Sequence, residues 1–210
     1  MLKTSISLIV LLLVMAQVRA DFLDPTPPSK PSDDVVENIF NKEFAQQSLL
    51  FLPFEFPIEI ERTHADMAKA LLPWVELGLI NKSNTRFLAD KEMYGEIRQV
   101  SVGGYLYELN LDNKWVTENG FIYGRPALHS VLSISTPTHI NANYVVEVYL
   151  AWKVVDIPPW VKDVDLSHRK MRLLRRSAES ESKPFEKRVY LKYQDSQWMI
   201  WDDEGKQTLF

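Results

Sequence analysis

Residues 144–155 carry the pattern that most constrains this chain. Val146, Val148, Leu150, Trp152 and Val154 fall on one side of an extended backbone, and Val145, Glu147, Tyr149, Ala151, Lys153 and Val155 fall on the other. A two-residue apolar period belongs to a strand, here with one fully apolar face and one mixed, half-covered face. Such a strand needs neighbours for its backbone and a layer over its apolar side. Asp156-Ile157-Pro158-Pro159-Trp160 ends it, because two consecutive prolines cannot continue a ladder. The chain has no cysteine, so disulfides and thiolate chemistry are excluded and stability must come from packing. All 6 Trp follow residue 20, and large rings are the ordinary filling of a core without disulfides.

The remaining elements read outward from that strand. Ser32 stands where a helix N-cap belongs, Asp33 and Asp34 suit the positive helix start, and Val36, Phe40 and Phe44 recur at i+4 spacing. Phe54, Phe56, Ile58 and Ile60 alternate with Glu55, Pro57, Glu59 and Glu61, which predicts a strand with one wet face. Pro53 and Pro57 place it at a sheet edge. Thr63 and Asp66 resemble a capping box ahead of Met67, Leu71 and Val75, with Gly78 closing a second helix bent at Pro73. Residues 96–109 and 120–135 read as strands, broken by Gly103-Gly104, Asp112-Asn113 and Gly124. Residues 163–177 read as a helix, and Arg188–Tyr193 with Trp198–Trp201 as a hairpin around Asp195-Ser196. The expected fold is α+β, a predominantly antiparallel sheet with two N-terminal helices and one late helix. A helix followed by a strand hairpin also suggests a winged-helix-like subfold, acting as scaffold.

The N-terminus reads as an export signal. Lys3 precedes the apolar run Ile6–Val14, and Val18-Arg19-Ala20 offers modest side chains where a signal peptidase cuts. The run is shorter than the roughly 20 residues that span a bilayer. Residues 1–20 are therefore expected to be removed after Ala20. Residues 21–33, with Pro25, Pro27, Pro28 and Pro31, read as a tether, and residues 34–210 as one domain. Export without cysteine suits the periplasm better than an extracellular animal setting. The whole chain has a formal charge of −4, and loss of Lys3 and Arg19 makes it more acidic. Nucleic acid is not expected as a partner, because phosphate binding needs a cationic surface.

Motifs that would carry chemistry are sparse. The 7 Gly form no phosphate loop, dinucleotide fingerprint or nucleophile elbow. His64, His129, His139 and His168 have no paired spacing, so no metal or cofactor is expected. Glu61 and His64 make one Glu-x-x-His where a di-iron bundle needs two copies. His129-Ser130 could belong to a triad, which geometry and not adjacency defines. Glu55, Glu59 and Glu61 could do acid-base work or hold a hard cation, but they alternate with apolar residues as a solvated strand face does. Trp160, Trp198 and Trp201 could stack on sugars, with core packing the stronger reading. The least ordinary segment is His168–Arg176, with Arg169, Arg172 and Arg176 on one helical face. That face is the candidate for contact with an acidic partner, membrane-surface contact being the lesser reading. The competing reading is a solvated helix end offset by Glu179 and Glu181.

Leu77-Gly78-Leu79-Ile80, Tyr105-Leu106-Tyr107-Glu108-Leu109, Phe121-Ile122-Tyr123-Gly124 and Asp156-Ile157-Pro158-Pro159-Trp160 together span about residues 70–165. In this order they resemble uncharacterised small exported proteins of Gram-negative bacteria, a resemblance that implies export and no particular activity. The expectation is an exported, periplasmic, noncatalytic binding or accessory protein, of inhibitor or immunity type, with an envelope protein as partner. The alternative is an envelope hydrolase acting on glycan or peptide.

Overall fold

The computed structural model describes residues 26–140, 142–201 and 209. The expected signal segment, 1–20, lies outside them. Helix α1 (Asp33–Glu43) starts at Ser32, whose hydroxyl accepts from the Val35 amide at 3.4 Å. Val36, Phe40 and Phe44 are buried beneath a sheet, which contributes roughly 1.5–3 kcal/mol for each large side chain. Strands β1 (Leu49–Phe51) and β2 (Ile58–Glu61) precede helix α2 (Ala65–Glu76). Then come β3 (Ile80–Met93), β4 (Glu96–Leu109), β5 (Val116–Thr117), β6 (Gly120–Ile134), β7 (Thr138–Ile140) and β8 (Asn143–Val155). The short helix α3 (Pro159–Asp163), a 3-10 turn (Arg169–Met171), helix α4 (Arg172–Ala178) and the hairpin β9 (Phe185–Gln194) and β10 (Gln197–Ile200) follow.

Strands β1, β6, β8, β9 and β10 lie side by side in that order, with β5 on β6 and β7 on β8, in a curled antiparallel half-barrel. A second sheet has the order β2, β4, β3. The expected central strand is β8. Its Val146, Val148, Leu150 and Trp152 are fully covered, packing with Val189 and Leu191 of β9 and with α1. Between the sheets, Trp74 of α2 stacks on Phe121 of β6 with centroids 5.3 Å apart. Phe51 of β1 and Trp160 of α3 lie within 6.1 and 6.2 Å of Trp74. Such pairs contribute about 0.5–1.5 kcal/mol beyond the area they bury, and they tie β1, β6, α2 and α3 into one cluster.

The α+β expectation is overturned. Strands make up 47% and the helices are mostly small, so the protein is mostly β. Helices α1 and α2 are separated by β1 and β2, and residues ahead of 26 are not described, so no N-terminal helical pair forms a layer of its own. The late helix expected over 163–177 is broken. Asp165 accepts from the Ser167 amide at 2.9 Å, and His168 Nδ1 accepts from the Lys170 amide at 3.2 Å. These side chains offer the backbone a turn in place of a helix, which leaves the two turns of α4. With the late helix cut to α4, no winged-helix unit is built among the described residues. The capping box is also absent: α2 starts at His64 without a side-chain cap, and the Thr63 hydroxyl donates to Glu61 at 3.2 Å.

The main source of the extra strand is β3. Outside Ile80 none of its residues is buried: Thr85, Phe87, Ala89 and Lys91 make one half-buried face, and the other is exposed. With Lys91 on the first and Leu88 on the second, the sequence shows little apolar alternation, although β3 pairs with β4 without a register shift. Gly103-Gly104, read as a break, lies inside β4. A Cβ on Gly104 would stand 2.4 Å from the Ile60 carbonyl oxygen and 2.6 Å from the Phe87 ring. Glycine there permits close approach of β2 and β4 and marks no turn.

Candidate functional site

An apolar concavity lies between α1 and the edge strand β10. Val35 and Ile39, one helical turn apart, border the buried stripe of Val36 and Phe40 and leave an apolar shoulder beside Trp198. Val35, Asn38, Ile39, Ser196, Gln197 and Trp198 line an open groove of about 330 Å³. A continuation of about 230 Å³ runs past Lys42, Glu43 and Met199. The indole Nε1 of Trp198 donates to the Ser29 carbonyl at 3.2 Å, and its ring lies 5.2 Å from that of Tyr193. These contacts hold the ring in place at the groove.

The strand beside the groove has an open side. The Asp195-Ser196 turn, both residues at positive φ, is closed by the Gln194–Gln197 pair, and the Trp201 amide donates to the Tyr190 carbonyl at 2.9 Å. Antiparallel ladders alternate, so Gln197 and Met199 turn their backbone groups toward β9 while Trp198 and Ile200 turn theirs outward. Among the described residues no strand pairs with that outer side. Apolar walls beside an unpaired edge can take an extended chain, the edge supplying main-chain hydrogen bonds and the walls selecting side chains.

The arginines singled out in the sequence do not share one role. Arg176 donates to the carbonyls of Lys183 and Pro184, the latter at 2.8 Å, and its guanidinium lies 4.6 Å from the Phe185 ring centroid. Phe185 stacks in turn on Trp152 at 4.7 Å. Arg169 precedes α4 in the 3-10 turn, and both Arg169 and Arg172 are exposed.

Glu55, Glu59 and Glu61 are also separated. Glu61 is buried, accepting from Lys91 Nζ at 2.8 Å and from Thr63, whereas Glu55 and Glu59 are exposed. The Lys91 hydrogen bond holds the Glu61 carboxyl below the usual range. Trp160 is buried and donates to the Ile122 carbonyl at 3.1 Å. Trp198 alone of the three candidate tryptophans borders a described groove.

Elsewhere the polar chemistry joins strands. On the outer face of β8 and β9, Tyr149 donates to Glu186, Tyr190 donates to Glu147 at 3.1 Å, and Arg188 stands 3.7 Å from Glu147. Hydrogen bonding to Glu186 and Glu147 raises the two tyrosines above their usual range. Burial pushes Tyr123 up to about 12, partly offset by the Ser177 hydroxyl beside it. Among the described residues no group of three His, Asp or Glu is placed to share a metal ion, and no helix is long and apolar enough to cross a membrane.

Sequence reasoning missed the groove. The signal was present in the side-by-side pairs Val35–Ile39 and Val36–Phe40, a stripe wider than one buried helix face requires. Comparison with protein-family models, curated proteins and solved structures gives no match for this chain.

Proposed function

We propose that the protein is an exported, noncatalytic binding or accessory factor, of inhibitor or immunity type, holding an extended segment of an envelope protein between α1 and β10. The observation that carries this reading is the apolar groove of about 330 Å³ beside a strand whose outward backbone groups have no strand partner among the described residues. Trp198 is the anchor, since a large ring held in place loses little freedom on binding and buries much area. Gln197, Ser196 and Asn38 form a polar rim.

Panning the protein against a library of random linear peptides tests the reading. Peptides should be enriched whose binding weakens about tenfold or more on Trp198→Ala, the scale of a hot-spot residue. Val35→Asp should weaken the same peptides without altering the fold, because Val35 is already 36% exposed. Failure to enrich peptides, or binding indifferent to both substitutions, contradicts the proposal.

A further inference from the structure

The long edge of β3 lies in the second sheet and shares no residue with the groove. Strand β3 runs 14 residues as the outer strand of its sheet, without proline or a register shift. A strand of that length spans about 45 Å. Among the described residues the β3–β4 hairpin has no third strand beyond Gly104, since β2 pairs with residues 104–107. Natural edges are usually blunted by proline, bulges, short length or charged side chains, because unpaired backbone is a template for another strand. Of these devices β3 carries charges, with Lys82, Arg86, Asp90 and Glu92 at outward-turned positions, and neither proline nor a register shift. Leu88 is 64% exposed on this edge strand.

We propose that a second copy of this chain pairs with β3, antiparallel and edge to edge, about a two-fold axis through Leu88. Both the backbone and the charges fit this register. The Tyr94-Gly95 turn, with φ of 58° and 84°, is closed by the Met93–Glu96 pair, and the Asn110 amide donates to the Leu79 carbonyl at 3.0 Å. Odd-numbered residues of β3 therefore turn their backbone groups toward β4, and Asn84, Arg86, Leu88, Asp90 and Glu92 turn theirs outward.

A two-fold through Leu88 sets Leu88 against its own copy, Arg86 against Asp90 of the second copy, and Asp90 against its Arg86. Asn84 falls opposite Glu92 on the same face. Opposite charges directly across a pair stabilise it and like charges oppose it. Centring on Arg86 or Asp90 would place like charges on the axis. Centring on Phe87 or Ala89 would set Leu88 against a charge. The register centred on Leu88 sets Leu against Leu on the axis and an acid against a base on either side of it, the self-complementarity an isologous two-fold contact requires.

The absence of cysteine supplies a direct test. A hydrogen-bonded antiparallel pair has Cα atoms about 5.5 Å apart, within disulfide reach. Full-length Leu88→Cys protein should oxidise to a covalent dimer, while Ser101→Cys, opposite Leu88 on β4 and one strand away from the seam, should form no cross-link. In parallel, sedimentation velocity over a concentration series should show a wild-type dimer. Arg86→Asp and Asp90→Arg should each raise the dissociation constant at least about tenfold. Mixing the two variants should restore association, since both charge contacts across the mixed pair then set an acid against a base.

A wild-type protein that stays monomeric throughout overturns the proposal. So does a Leu88→Cys chain that cross-links no faster than Ser101→Cys, or a mixture that fails to regain association. Peptide capture in the α1–β10 groove is read separately, so loss of either result leaves the other interpretable.

Discussion

Arg176 stands closest to the boundary between a functional and a structural residue. Its two carbonyl acceptors and the Phe185 face tie the end of α4 to the start of β9. Arg176→Gln should therefore lower unfolding stability by about 1–2 kcal/mol, from lost charged hydrogen bonds and cation–π contact. Arg169→Gln and Arg172→Gln, at exposed positions, should each stay within about 0.5 kcal/mol. Urea unfolding of the three single variants checks this, and equal effects would contradict it. Helical spacing placed the three arginines on one face of an expected helix. The Asp165 and His168 turns and the loop carbonyls of Lys183 and Pro184 come from contacts that a periodicity does not encode.

Glu61 connects two elements across 30 residues of chain, because Lys91 reaches back from the distal half of β3 to the end of β2. Its carboxyl is held below the ordinary 4.5, first by the Lys91 hydrogen bond. A lowered folded-state pKa contributes stability above the unfolded value, and that contribution disappears as pH falls through the folded value. Glu61→Gln should therefore flatten the acid side of the stability profile below about pH 4.5, measured by thermal unfolding across pH. An unchanged acid slope would contradict the role. Tyr123 works in the opposite sense. Its pKa, raised to about 12, favours the folded state below the unfolded value of 10, and the advantage is lost as pH rises through 12. Tyr123→Phe should reduce the alkaline loss of stability.

The same elements explain what was readable from sequence. Strand β8 and the β9–β10 turn were legible because one face of β8 is buried along its length and turn residues flank the hairpin. Helix α1 was legible through Ser32 and the Val36–Phe40–Phe44 spacing. Strand β3 was not, because its pairing rests on backbone bonds to β4 and neither face is apolar enough to print a period. Gly104 misled for a related reason: the close approach it permits is made by Ile60 and Phe87, distant in sequence. Gly104→Ala should cost about 1–3 kcal/mol through overpacking against backbone, measurable by urea unfolding.

At the scale of the whole molecule, two of the open edges among the described residues lie in different sheets. The β10 edge borders an apolar groove, and the β3 edge has a self-complementary charge pattern. The central claim is that the first of these takes an extended chain. Hydrogen exchange at the amides of Trp198 and Ile200, with and without a peptide enriched by panning, tests it most directly. The account predicts that both amides become protected on binding while those of Gln197 and Met199, already turned toward β9, change little. Binding that leaves Trp198 and Ile200 exchanging as in the free protein, or protection confined to β3, would contradict it.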